Sequence, residues 1–158
     1  MRVGATGHRL LHAATARMVE RALRDRLARL RADVLVGVSS LADGSDQLFA
    51  EAVLALGGSL EVVVPAARYR EELPAEFQEA YDRLLAQASA VEHLDYEEST
   101  SEAHMEAGRV VVQRSDVLLA VWDGQPARGF GGTGDVVAYA LERGVPVEVV
   151  WPVGAERP

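Results

Sequence analysis

The segment Val117-Leu118-Leu119-Ala120-Val121-Trp122 is apolar without alternation, the pattern of a strand whose two faces are both covered. Asp33 to Val38 and Leu60 to Val64 have the same character, and each precedes a stretch with helical spacing. From about Ala14 to Leu30, Met18, Ala22, Leu23, Leu27 and Leu30 recur at three- and four-residue intervals, with charges mostly elsewhere. Met1 to Ala5, Ala90 to Leu94 and Val145 to Trp151 supply three more strand-like runs. Helices are expected up to Leu56, over Ala75 to Gln87, over Glu102 to Arg114 and over Asp135 to Arg143. The order βαβαβαβαβαβ requires right-handed crossovers and a mostly parallel sheet of about six strands, with helices on both faces. This is a three-layer α/β domain.

A chain of 158 residues suits one such domain. Residues 1–151 are assigned to it and 152–158 to a loosely held tail. No apolar run approaches the roughly 20 residues that span a bilayer, and no signal peptide is evident, so a cytoplasmic protein is expected. The absence of cysteine excludes disulfides, thiolate nucleophiles and sulfur-ligated zinc. All 16 basic residues are arginine, which excludes Schiff-base chemistry and the lysine of a P-loop. The net charge of −8 argues against a nucleic-acid surface. It leaves room for a small anion, because screening over about 8 Å lets local amides and one arginine outweigh distant carboxylates.

Three loops of unusual composition fall at strand ends, Gly4 to Arg9, Ser39 to Asp46 and Trp122 to Asp135. In open parallel sheets ligands bind at the carboxyl ends of strands, beside the point where strand order reverses. The run Gly129-Phe130-Gly131-Gly132-Thr133-Gly134-Asp135 leads from a strand into a helix, where unpaired N–H groups and the helix dipole favour an anion. Phosphate is therefore expected on the amides of Gly131, Gly132, Thr133 and Gly134. The run matches G-x-G-x-x-G but falls late in the chain, with no acid suitably placed after it, unlike the dinucleotide fingerprint. Five glycines from Gly124 to Gly134 exceed what a tight turn needs.

Asp135 caps the following helix or holds a sugar hydroxyl, and Asp123, directly after a strand, is placed to meet a ligand. Gly7, His8 and Arg9 follow the first strand, with Arg9 either clamping phosphate or forming a surface salt bridge. In the second loop Ser45 or Asp43 caps the next helix, while Ser39, Asp43, Gly44 and Asp46 are candidate ligand contacts. His8 and His12 have i, i+4 spacing without a third ligand, so no metal is expected. No nucleophile–base arrangement is recognisable.

With these loops in hand, the chain resembles the SLOG superfamily, the Rossmann-like group uniting the Smf/DprA DNA-processing proteins, the LOG phosphoribohydrolases and nucleotide-sensing domains. Ser39-Ser40-Leu41-Ala42-Asp43-Gly44-Ser45-Asp46 is similar to its S-G-L-A-x-G-x-D segment. Ser115-Asp116 through Trp122 and the glycines beyond are similar to its strand and G-G-T loop, and Thr6-Gly7-His8-Arg9 to the T-G-H-R opening of some branches. The resemblance implies a single Rossmann-like domain binding a nucleotide or nucleotide-derived molecule, as sensor or carrier, with no required cofactor, and a homodimer. The alternative it implies is LOG-like cleavage of the N-glycosidic bond of a nucleoside monophosphate. Against the LOG motif P-G-G-x-G-T-x-x-E, Val136 stands where the catalytic glutamate would be. The upstream arginine of those enzymes falls at Ala107, with Arg109 two residues off, and Asp135 or Glu106 is then the candidate displaced acid. A DNA-handling role by analogy with DprA runs against the chain's acidity.

Overall fold

The computed structural model describes residues 1–30 and 33–158. Its single sheet has six strands, β1 (Arg2–Gly7), β2 (Val36–Ser39), β3 (Ser59–Val64), β4 (Ala90–His93), β5 (Val117–Val121) and β6 (Val147–Val149), in the order β4-β3-β2-β1-β5-β6. All adjacent pairs are parallel, and Gly7 of β1 lies level with Val121 of β5. The chain steps outward from β1 to β4, then returns to the other side of β1 for β5. The ends of β1 and β5 therefore flank the point where strand order reverses.

The helices are α1 (Ala13–Leu30), α2 (Ser45–Ala55), α3 (Tyr69–Glu72), α4 (Ala75–Ala86), α5 (Ser101–Gln113) and α6 (Thr133–Glu142). Along β5 the side chains divide with the period of two that a strand imposes. Val117, Leu119 and Val121 join Val19, Leu23 and Leu27 of α1 and Phe49 and Val53 of α2 in one core. Leu118 joins Met105, Val111 and Val112 of α5 and Val136 and Ala140 of α6 in the other. Unbroken apolarity in β5 thus reflects two covered faces. A third cluster, around Leu60, Val62, Tyr69 and Leu84, seats α3 and α4 on the outer half of the sheet. At the amino end of the sheet, Glu61 of β3 receives Arg2 in a two-point pair at 3.1 and 2.6 Å. Arg114 also reaches Glu61 and pairs with Glu92. No helix among the described residues is long and apolar enough to cross a membrane.

Four expectations need correction. β2 begins at Val36, and Asp33 and Val34 are exposed bends before it. α3 was not foreseen because its four residues carry too little periodicity to read. α6 begins at Thr133 rather than Asp135, with Gly132 as its N-cap, so Gly134 lies inside the helix. Gly44, rather than Ser45 or Asp43, caps α2 without any side-chain bond. The Asp43 carboxylate goes instead to Arg9 and Leu10, and the Ser45 hydroxyl to the His8 carbonyl.

The tail assigned as loose is tied down. Glu156 N–H donates to Thr15 Oγ1 at 3.2 Å, and Arg128 Nη1 donates to the Pro158 carbonyl at 2.6 Å. These contacts bring Arg157 and Pro158 to the carboxyl end of the sheet, where both line a cavity.

Candidate ligand-binding site

The cavity measures about 330 Å³ and opens above the ends of β1, β2 and β3, beside the β5–α6 loop. That volume lies at the lower end of the range of about 300–1,000 Å³ typical of small-molecule sites. Its walls are the β1–α1 turn, the β2–α2 turn, the start of α6, one face of α5 and the tail.

The two turns from β1 and β2 are locked together. Arg9 Nε and Nη2 both donate to Asp43 Oδ1, at 2.8 and 2.6 Å, and Leu10 N–H donates to Asp43 Oδ2 at 3.1 Å. Asp43 is wholly buried by this contact, and Leu10 adopts a positive φ of 54° beside it. The Ser39 hydroxyl, also buried, accepts the Leu41 N–H at 3.0 Å and holds the next turn. Gly44 has φ 89° and ψ −129°, and a Cβ there would lie 2.8 Å from the His8 carbonyl oxygen. Gly7 is held as closely, since a Cβ would sit 2.1 Å from Ser45 Oγ. Ser39, Asp43 and Gly44 therefore build the wall from behind, and none of their side chains lines the cavity.

Asp46 does line it. Only 8% exposed, it accepts the Ala42 N–H at Oδ2, at 3.2 Å. Burial pushes its carboxyl up to about 7, against the pull of that hydrogen bond and of Arg9. Beside it stand the buried Tyr69 and the half-buried His104, whose rings meet edge to face at 5.9 Å. His104 Nε2 lies 2.6 Å from Ser99 Oγ, and burial followed by the Arg9 charge lowers its pKa.

His8 packs edge-on against Trp151 and accepts the Asp123 N–H at Nε2, at 3.0 Å. Burial and the nearby Arg157 charge lower its pKa, so the ring is neutral near pH 7. Its proton then lies on Nδ1, and the 3.2 Å approach of Asp123 Oδ1 to Nε2 is not an ion pair. Asp123 Oδ1 also accepts Gln125 N–H at 3.0 Å, which makes Asp123 a brace for the β5–α6 loop.

The glycine loop is more selective than its sequence implied. Gly131 N–H is taken by Asp135 Oδ2 at 2.9 Å and Gly132 N–H by the Gly129 carbonyl at 3.2 Å. Among the described residues, no hydrogen bond is made by the N–H groups of Thr133 and Gly134, the first two of the ten-residue α6. The expected cradle of four amides therefore narrows to two, and Asp135 serves the loop rather than a ligand. Gly131 needs its φ of 86°, and a Cβ there would lie 2.8 Å from the Ser101 carbonyl oxygen of α5.

Of the residues singled out in the sequence, Gly7, His8, Arg9, Asp46, Gly131, Gly132 and Thr133 converge on the cavity. Asp123, Gly124, Gly134 and Asp135 stand outside its lining, as does Glu106, which pairs with Arg109 at 3.2 Å. Val136 forms part of the wall, its Cγ2 lying where a Cβ on Gly108 would come within 2.7 Å. Sequence reasoning missed Tyr69, His104, Arg128 and Arg157. Arg128 lies inside the glycine-rich loop, and that was its one available signal; the others arrive through the fold alone.

No family model matches the chain, and no curated protein does. Solved structures do. DNA processing protein A from Helicobacter pylori superposes with a TM-score of 0.67 at 18% identity, covering 99% of this chain and 68% of that one. The same protein from Streptococcus pneumoniae gives 0.69 at 18% identity, covering 97% and 51%. The molybdenum cofactor binding protein from Rippkaea orientalis gives 0.62 at 14% identity, covering 96% and 76%. The chain has the SLOG fold. Within the SLOG fold, the β1–α1, β2–α2 and β5–α6 loops enclose the cavity from three sides. At these identities the likeness is one of fold, and the ligand must be argued from the residues.

Proposed function

We propose that this domain binds a nucleotide or nucleotide-derived small molecule in the cavity, as a sensor or carrier, with the ligand's anionic group on the first turn of α6. The observation that carries this reading is the unbonded N–H of Thr133, which lines the cavity together with Arg9, Arg128 and Arg157, with the equally unbonded N–H of Gly134 next to it just outside the lining. Free amides at a helix start and arginine forks both favour phosphate. The apolar stretch of wall formed by Ala107, Val111 and Val136 suits the flat face of a base. That one SLOG-fold neighbour is a molybdenum cofactor binding protein supports small-molecule binding as a role for this fold. The H. pylori neighbour binds single-stranded DNA, but a net charge of −8 here favours a small ligand.

Carriage or sensing is preferred to cleavage because Asp135 is bound to Gly131, Glu106 lies outside the cavity and Val136 is apolar. A panel of ribonucleoside monophosphates is expected to raise the melting temperature, whereas the parent nucleosides leave it nearly unchanged. Neither Arg128 nor Arg157 contributes a core contact, so both alanine variants should fold; Arg128→Ala also releases the tail at Pro158, and Arg157→Ala, which leaves that bond in place, is the cleaner test. Each should weaken monophosphate binding about tenfold or more, the worth of a charge-assisted hydrogen bond. Undiminished binding in both variants would contradict this placement of the phosphate. The homodimer remains a proposal from the family resemblance, and light scattering tests it directly.

A further inference from the structure

Tyr69 brings an uncommitted hydroxyl to the cavity. The residue is only 3% exposed, and it lines the cavity from the α3 segment that follows β3. Among the described residues no hydrogen bond reaches its hydroxyl, which, unlike Nδ1 of the neighbouring His8, is not sealed from solvent. A buried tyrosine ordinarily finds a partner for its O–H. The polar groups around this one are directed elsewhere. Arg9 turns to Asp43, His104 Nε2 to Ser99 Oγ, and Asp46 Oδ2 takes the Ala42 N–H.

The hydroxyl is also fixed in place. Two rings meet that of Tyr69 edge to face, Tyr81 at 5.8 Å and His104 at 5.9 Å. A phenol oxygen lies on its ring's own axis of rotation, so ring flips leave it where it is. Burial, followed by the Asp46 charge, raises the Tyr69 pKa. The hydroxyl therefore keeps its proton through the neutral range and can both donate and accept.

The arrangement of the cavity decides what this group meets. Arg128 and Thr133, two of the contacts assigned to the anion, line it from the β5–α6 connection, and β1 and β2 lie between β5 and β3. A ligand that sets its phosphate on α6 directs its uncharged end toward Tyr69. In a nucleotide that end is the base, whose edge carries both donors and acceptors. A fixed hydroxyl of either polarity suits such an edge.

Resting on the nucleotide reading of the cavity, we propose that Tyr69 reads the base, its hydroxyl bonding the base edge and setting the preference among nucleotides. The ring contacts with Tyr81 and His104 hold the group in position, and the Ala107, Val111 and Val136 wall takes the flat face.

The test compares wild type with Tyr69→Phe by calorimetric titration. The ligands are the four common ribonucleoside monophosphates and ribose 5-phosphate, which has the phosphate and sugar without a base. Wild-type protein should bind its preferred monophosphate at least about tenfold more tightly than ribose 5-phosphate. Tyr69→Phe should lose about tenfold in affinity for that monophosphate, keep its affinity for ribose 5-phosphate and discriminate less among the four bases. The variant retains both ring contacts and sheds an oxygen without a protein partner, so it should melt no lower than wild type. A lower melting temperature would overturn the premise that the hydroxyl is free. Unchanged monophosphate affinity in the variant, an equal loss for ribose 5-phosphate, or wild-type protein that binds ribose 5-phosphate as tightly as any monophosphate would overturn the assignment to Tyr69 while leaving the phosphate site intact. Failure of every monophosphate to bind would overturn the nucleotide reading as well.

Discussion

Replacing Gly44 with alanine is expected to destabilise the domain by about 3–5 kcal/mol, through two costs that act together. The first is conformational. At φ 89° and ψ −129° the backbone is in a region that side chains other than glycine's rarely enter. The second is steric, because the new methyl would lie 2.8 Å from the His8 carbonyl oxygen and 3.0 Å from the Arg9 Cα, both backbone positions that cannot rotate away. Relief would separate the β1–α1 and β2–α2 turns and break the bond from Ser45 N–H to the His8 carbonyl. Since domains are stable by only about 5–15 kcal/mol, urea unfolding should show a markedly lower midpoint with an unchanged slope. A near-neutral result would mean that the two turns can part freely, and the cavity would lose the rigid wall described above.

Asp43→Ala is expected to cost about 2–3 kcal/mol and to weaken anion binding as well. The alanine removes the acceptor for Arg9 Nε and Nη2 and for Leu10 N–H at once. Arg9 is 43% exposed and can recover water, so the penalty falls below that of a fully buried pair. The N–H of Leu10, held at positive φ, then has no acceptor from Asp43. Asp43→Asn should fall between the two, because an amide oxygen still accepts one of these bonds. Chemical denaturation of the three proteins, with monophosphate binding measured alongside, separates the contributions. An alanine variant as stable as wild type would show that the Arg9–Asp43 contact is incidental to the turn.

The sheet was legible because its signal is repeated. Six apolar runs alternate with helical stretches, and each run informs the others, so weak signals such as Ala90 to His93 gained support from context. The loops of the cavity were legible too, since glycines and small polar residues at strand ends have few other uses. The division of labour within them was not. Asp43 and Asp46 lie three residues apart in one turn, yet the first is consumed by Arg9 and the second faces the ligand space. Nothing local distinguishes them, because the choice depends on where Arg9 from a different strand arrives. Asp135 likewise looked available and is spent on Gly131 N–H, one helical turn back. Arg157 and His104 reach the cavity through tertiary packing, which no spacing rule encodes.

The central claim is that an anionic ligand group rests on the first turn of α6. It is tested most directly by following backbone amide resonances while a ribonucleoside monophosphate is added. The Thr133 and Gly134 amides should shift strongly downfield as they acquire a charged acceptor, with Gly131, already bound to Asp135, moving far less. Saturable binding that leaves Thr133 and Gly134 unmoved, with the large shifts elsewhere in the domain, would contradict it.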